Sequence, residues 1–185
     1  MIRAVRLGVA DHFGWAVAVT ASADFAVVDR RQIALVEPGV TEAPIHYESA
    51  RLDVAATAAL VATVRASVAR AAAAAFDEIA AAVGEPIVSI SLRTWPPDFP
   101  EDIAVQRRVP WEARADAVMY RQILAELAHQ RGWEVHLYDA KAVVGQAVSM
   151  LAERTDEVLQ GPRATMGPPW TKDHRIALAA TIVAG

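Results

Sequence analysis

The chain of 185 residues contains no cysteine, which excludes disulfide bridges, thiolate metal sites and cysteine nucleophiles. It is also poor in positive charge, because 18 Lys and Arg stand against 22 Asp and Glu and leave a formal net charge of -4. A protein that holds a polyanion through its overall charge is strongly basic. Any binding of nucleic acid therefore has to depend on a local basic patch or on bridging metal ions.

Long apolar runs free of charge are missing as well. The most apolar stretch, residues 54–83, carries four charged side chains, those of Arg65, Arg70, Asp77 and Glu78. This density of charge argues against a membrane-spanning helix. Arg3 and Arg6 interrupt the start of the chain, where a signal segment would be apolar. We therefore expect no membrane partner and a cytoplasmic protein.

Several sequence motifs of common enzymes are absent. The chain has no G-x-x-x-x-G-K-[ST] loop and no G-x-G-x-x-G after a strand, so nucleotide binding of those kinds lacks support. It has no G-x-S-x-G elbow for a serine nucleophile, and no pair of histidines at zinc-ligand spacing.

What is present is an alternation of apolar segments typical of an α/β protein. Apolar residues make up 54% of the chain and charged residues 22%, which indicates a globular protein, and the length suits one domain over residues 1–185. Periodicity and turn residues predict the order β-β-β-α-β-α-β-α-α. The predicted strands are residues 1–10, 15–20, 25–37, 87–92 and 133–138, and the predicted helices are residues 48–83, 110–131, 140–160 and 172–184.

Three aspartates stand where predicted elements begin or end. Asp11 follows the first strand, Asp139 follows the fifth, and Asp173 lies in the first turn of the last helix. If the first, fourth and fifth strands run parallel, all three carboxylates meet at one edge of the sheet. Converging carboxylates need a cation, and Mg²⁺ or Mn²⁺ prefers oxygen ligands. A pair of such ions can activate water for cleavage of a phosphodiester.

Each aspartate also has an explanation that needs no site. Asp11 suits a turn, Asp139 suits a helix N-cap, and Asp173 complements the dipole of a helix that starts beside it. Lys172 and His174 flank Asp173 and could assist a metal site, although a lone histidine on a surface loop usually has no such role. Only convergence of the three carboxylates favours the site over the separate explanations.

Three segments together resemble a known family: LGVADHFGWAV at residues 7–17, LYDAKAVVGQAVSMLAE at residues 137–153, and KDHRIALAATIVA at residues 172–184. They are similar to segments of the RuvC-type Holliday-junction resolvases and their YqgF-type relatives in the ribonuclease-H-like superfamily. The resemblance implies a three-layer α/β fold with a mixed five-stranded sheet, in which three antiparallel strands are followed by two parallel strands.

The same resemblance implies a function. It is that of a divalent-metal-dependent endonuclease, or a nuclease-like protein, acting on structured DNA or RNA. Three residues would hold Mg²⁺ or Mn²⁺ in such a site, Asp11, Asp139 and Asp173, and two would assist catalysis, Lys172 and His174.

Two departures from the family pattern favour an alternative. The loop after Asp11 is short, with His12 and Phe13 before Gly14, and Arg93 stands where RuvC-type enzymes carry a glutamate near the end of the fourth strand. The alternative is a catalytically inactive module for binding or assembly. Its alanine-rich helix, on the order of 50 Å long at 1.5 Å per residue, would exceed a small sheet and could form a homodimer.

Overall fold

The protein is built on a five-stranded mixed sheet in the order β3-β2-β1-β4-β5. The computed structural model describes residues 4–184. The strands are β1 (Val5–Asp11), β2 (Trp15–Ser22), β3 (Val27–Ala34), β4 (Ile87–Arg93) and β5 (Glu134–Tyr138). The first three form an antiparallel meander, whereas β4 pairs parallel with β1, and β5 pairs parallel with β4. This is the predicted ribonuclease-H-like arrangement, and the predicted fold class is confirmed.

Helices cover both faces of the sheet and form the outer two of three layers. They are α1 (Val54–Val83), α2 (Ile103–Gln106), α3 (Glu112–Gln130), α4 (Val143–Leu151), α5 (Thr155–Leu159), α6 (Gly161–Met166) and α7 (Lys172–Val183). One core lies between the sheet and helices α1 and α3, and includes Leu7, Phe76 and Leu124. The other lies between the sheet and helices α4 and α7, and includes Val19 and Leu178.

β1 occupies the centre of the sheet because both of its faces are apolar. All of its described residues except Arg6 are buried, which is the pattern of a strand covered on both sides. Gly8 allows α7 to cross β1 closely, since an added Cβ would lie 1.9 Å from the carbonyl oxygen of Ala177. The start of α7 is thereby held near the end of β1, where Asp11 lies.

The predicted helix over residues 48–83 starts later than expected. Residues 44–51 form irregular turns, a π-helical one at Pro44–Glu48 and a 3₁₀ one at Ser49–Arg51. The guanidinium of Arg107 holds them, because it donates hydrogen bonds to the carbonyl oxygens of Ser49 and Leu52. The α-helix then begins at the side-chain cap of Asp53, whose Oδ1 accepts from the Ala56 amide at 2.7 Å.

Two further boundaries differ from the prediction. The single helix predicted over residues 140–160 is broken after α4, where Ala152 has a φ of 50° and opens a 3₁₀ turn. Residues 161–170, which lie between the predicted helices 140–160 and 172–184, contain helix α6. Residues 1–3 of the first predicted strand lie outside the described residues.

α1 is long and apolar enough by length and composition to cross a bilayer. A core helix of a soluble protein passes the same test, and α1 buries Val64, Val68 and Phe76 against the sheet. The opposite side of the helix is exposed and rich in alanine.

Candidate functional site

The carboxyl edge of the two central parallel strands carries one acid and one base. β1 ends at Asp11 and its parallel neighbour β4 ends at Arg93. The first turn of α7 brings Asp173 to the same edge. We call Asp11, Arg93, Arg121, Asp173 and His12 the corner cluster, because ion pairs and hydrogen bonds connect all five.

Asp11 is the centre of this cluster and is only 3% exposed. The Nε of Arg121, on α3, donates to Asp11 Oδ2 at 2.9 Å. Arg93 donates from Nη1 to the backbone oxygen of Asp11, also at 2.9 Å, and its Nε lies 3.9 Å from Asp11 Oδ1. A buried carboxylate is costly unless it is paired and hydrogen-bonded. The two guanidinium groups supply that pairing.

The pairing leaves two buried polar atoms without a hydrogen bond. Asp11 Oδ1 and Arg93 Nε are buried atoms, and neither has a hydrogen-bond partner within residues 4–184. They face each other at 3.9 Å, a distance at which opposite charges attract but no hydrogen bond forms. The buried oxygen that a metal ion would be expected to use therefore already faces a cation.

Asp173 belongs to the cluster through two contacts. Its Oδ2 lies 2.9 Å from the Nε2 of His12, and its Oδ1 lies 3.8 Å from the Nη2 of Arg93. The ring of His12 stacks on Trp15, with ring centroids 4.2 Å apart and planes 13° apart. Arg93 thus lies between the carboxylates of Asp11 and Asp173.

Asp139 and Lys172 have other surroundings. Asp139 is exposed, and its Oδ1 accepts a hydrogen bond from the amide of Lys141 at 2.8 Å, which closes the turn before α4. Asp139 does not cap the helix, because the N-cap of α4 is Ala142 and no side chain of the described residues caps it. Lys172 is exposed at the first position of α7.

His174 caps α7. It is 6% exposed, and its Nδ1 accepts a hydrogen bond from the amide of Thr171 at 3.2 Å and lies 2.8 Å from the Thr171 hydroxyl. Burial lowers the pKa of His174, the charge of Arg30 lowers it further, and Asp173 opposes both. The ring is therefore held neutral, with Nδ1 as an acceptor, which suits a structural cap.

The residues present do not fit a divalent metal. In the part of the chain that the structure describes, no group of three or more His, Cys, Asp or Glu side chains could hold one. The two carboxylates that meet, those of Asp11 and Asp173, share a guanidinium instead. The role of the three predicted ligands in a metal site stays a prediction.

A basic groove adjoins the corner cluster. It has a volume of about 610 Å³, and Trp95, Pro96 and Pro97 form one wall while Arg114 and Arg121 supply its charge. Among its described lining residues none is acidic. Arg121 therefore belongs both to the groove and to the ion pair with Asp11, which places the groove beside the corner cluster.

A second buried acid has a structural explanation. Asp116 is 1% exposed, and its two oxygens accept from the amides of Ile45 at 3.1 Å and His46 at 2.8 Å. Burial raises the pKa of Asp116, and the hydrogen bonds from the two backbone amides oppose that rise. The side chain anchors the irregular turn before α1.

Sequence reasoning misses two members of the corner cluster. Arg121 lies in the middle of α3, 110 residues from Asp11, and no motif marks it. His12 stands out in the sequence only as a neighbour of Asp11, and its contact with Asp173 spans 161 residues. Neither contact leaves a local signal, because both depend on where α3 and α7 pack.

No family model matches the chain, and no curated protein matches it. Solved structures do match the chain, among them two of RuvC. T. thermophilus RuvC in complex with a Holliday junction substrate is 13% identical with a TM-score of 0.47, and 97% of this chain and 90% of that chain are covered. Thermus thermophilus RuvC is 10% identical with a TM-score of 0.48, and 97% and 92% are covered. Similarity at this level concerns the fold alone, and the fold assignment rests on the strand order described above.

Proposed function

We propose that this protein is a non-catalytic ribonuclease-H-like module that binds structured nucleic acid without cleaving it. The observation that carries the proposal is the pairing of Asp11 with Arg93 and Arg121. A nuclease of this fold would need the buried carboxylate to hold a metal ion, and here guanidinium groups face both of its oxygens.

The electrostatics of the corner cluster support the proposal. Two carboxylates brought close together attract a divalent cation only while their charge is uncompensated. Arg93 and Arg121 contribute two positive charges against the two negative charges of Asp11 and Asp173. A hydrated Mg²⁺ ion loses water reluctantly. Because the two arginines neutralise the two aspartates, the cluster has no net negative charge to compensate for that loss of water.

The basic groove supports the choice of partner. Phosphate oxygens are recognised by guanidinium groups, and the groove contains the exposed Arg114, whereas Arg121 is engaged by Asp11. Trp95 is half-buried beside them and presents an aromatic surface of the kind on which bases stack. With a net charge of -4, the protein needs a local basic patch to bind nucleic acid, and the groove is such a patch.

The test is a pair of assays on one substrate, a labelled four-way DNA junction. We expect binding in fluorescence anisotropy at low salt, and no cleavage on a denaturing gel with Mg²⁺ or Mn²⁺. Arg114→Ala should weaken binding. The matched control is Arg154→Ala, because Arg154 bonds to the Asp24 carbonyl beside the β2–β3 turn, at the opposite end of the sheet from Asp11.

Two results would contradict the proposal. Cleavage that requires Mg²⁺ or Mn²⁺ and disappears in Asp11→Asn would establish the nuclease expected from the family resemblance. Equal binding by wild type, Arg114→Ala and Arg154→Ala would remove the groove from the interaction.

We also propose assembly of two copies through α1, the homodimer expected from the sequence. Exposed alanines follow one another at helical spacing along the first half of the helix, at Ala55, Ala59, Ala62 and Ala66. Small side chains permit close approach of two helices. Sedimentation velocity should give a dimer that Ala62→Glu dissociates, and a monomeric mass for the wild type would refute it.

A further inference from the structure

The position of Arg93 between two carboxylates points to a more specific property of the corner cluster. Its Nε faces Asp11 Oδ1 at 3.9 Å and its Nη2 faces Asp173 Oδ1 at 3.8 Å. The carboxylates come from different elements, the end of β1 and the start of α7. One guanidinium group therefore neutralises a pair of acids that the fold itself brings together.

Asp11 supplies an independent observation. Its side chain is 2% exposed, and its buried Oδ1 has no hydrogen-bond partner in the described part of the chain. A buried carboxylate oxygen without a hydrogen bond is unusual. Among the residues that the structure describes, the cation that faces this oxygen is Arg93, and its Nε has no hydrogen-bond partner among them either. The oxygen is thus stabilised by a cation and not by hydrogen-bond donors.

We propose that Arg93 is a resident cation in the place of a divalent metal, so that its guanidinium and a metal ion exclude each other. Removal of the positive charge at residue 93 uncovers a site for Mn²⁺ or Mg²⁺ on Asp11 and Asp173. Arg93 is then one cause of the disagreement between the family pattern and this chain, beside the absence of a third acidic ligand among the described residues, and Arg121 reduces the affinity of the uncovered site.

Two polar substitutions at residue 93 test this, one without the positive charge and one with it. Arg93→Gln removes the charge and Arg93→Lys retains it. Free Mn²⁺ is measured by electron paramagnetic resonance during titration of the protein, and circular dichroism establishes that each variant is folded. We expect Arg93→Gln to bind Mn²⁺ at least about tenfold more tightly than the wild type, because a unit charge about 4 Å away is lost. Arg93→Lys should bind as weakly as the wild type.

Two controls locate the gain. Adding Asp173→Asn to Arg93→Gln should abolish it, because one of the two carboxylates is lost. Arg70→Gln removes the charge from an exposed pair with Glu37 and should leave Mn²⁺ binding unchanged. If Arg93→Gln folds only in the presence of Mn²⁺, recovery of the folded spectrum in Mn²⁺ is the readout.

Three results would overturn the inference. They are a folded Arg93→Gln that binds Mn²⁺ no better than the wild type, an unfolded Arg93→Gln that Mn²⁺ does not restore, and a wild type that binds Mn²⁺ tightly through Asp11. The inference rests on the non-catalytic role proposed above, but its assay contains no nucleic acid. A wild type that does not bind the junction, together with the expected gain of Mn²⁺ binding in Arg93→Gln, would therefore refute the proposed partner alone.

Discussion

Asp11 is a buried acid whose charge is balanced inside the protein. Removing one member of a buried ion pair leaves the other member buried and uncompensated, which costs more than the loss of an exposed pair. Asp11→Asn leaves the guanidinium of Arg121 without its carboxylate and that of Arg93 with Asp173 in place of two acids, and the side chains of Arg93 and Arg121 are only 19% and 16% exposed. We expect the free energy of unfolding to fall by about 2 to 4 kcal/mol, discounted for this partial exposure.

The control for this prediction is the exposed pair of Asp77 and Arg131, which are 2.6 Å apart while Asp77 is 73% exposed. Asp77→Asn should cost less than about 1 kcal/mol in urea denaturation. Equal losses for the two variants would mean that the corner cluster contributes no more than a surface ion pair.

His174 makes the stability depend on pH. Its folded-state pKa is lowered below the ordinary value of 6.5 by burial, so the unfolded chain binds the proton more readily. The stabilisation is complete above the unfolded pKa and is lost as the pH falls through 6.5 towards the lower folded pKa. We expect the melting temperature to fall from pH 7 to pH 5 more steeply for the wild type than for His174→Gln.

Glutamine suits this comparison because it keeps a hydrogen-bond acceptor for Thr171 but does not titrate. His129→Gln, which changes an exposed histidine, should melt in parallel with the wild type. A His174→Gln curve parallel to that of the wild type would show that the cap does not respond to protonation.

At the scale of elements, the close crossing of β1 and α7 decides where Asp173 lies. Gly8→Ala would put a Cβ 1.9 Å from the Ala177 carbonyl oxygen and 2.7 Å from its carbon, and backbone atoms cannot rotate away. We expect a loss of about 3 kcal/mol or more in the free energy of unfolding, measured in urea.

Gly145→Ala is the matched substitution in a helix without the clash. Nothing lies within 4 Å of the added Cβ in α4, so it should stabilise the protein by up to about 1 kcal/mol. A Gly8→Ala variant as stable as the wild type would show that α7 does not cross β1 so closely. The position of Asp173 beside Asp11, which depends on that crossing, would then be wrong.

At the scale of the whole molecule, a net charge of -4 limits long-range attraction of a polyanion. The proposed binding of nucleic acid then depends on few contacts, chiefly that of Arg114, because Arg121 is paired with Asp11. We expect the logarithm of the binding constant for a duplex arm to fall with the logarithm of salt concentration with a slope of about -1, near -0.9 per phosphate contact.

Anisotropy titrations at several salt concentrations measure this slope. Arg114→Ala should make it shallower by about one phosphate contact, whereas Arg154→Ala should leave it unchanged. A slope several times steeper in the wild type would indicate a wide basic surface in place of one groove.

The sequence by itself determined the order of the elements and the centre of the sheet. The alternation of apolar runs with Gly and Pro is a local signal, and strand β1 is buried on both faces because its own residues are apolar. For the same reason the sequence alone places Asp11 at the carboxyl edge of a central strand. The ends of the helices were less well determined, since long-range contacts such as Arg107 with Ser49 and Leu52 decide them.

Only the tertiary structure decided what surrounds Asp11. The three aspartates all stand at the ends of elements, yet Asp173 joins Arg93 while Asp139 closes a turn before α4. Arg121 reaches Asp11 across 110 residues because α3 packs on one face of the sheet, and His12 reaches Asp173 because α7 packs on the other. Ion pairs between distant elements have no periodicity in the sequence, and so the pairing of these carboxylates with arginine at this edge emerges only once the layers are assembled.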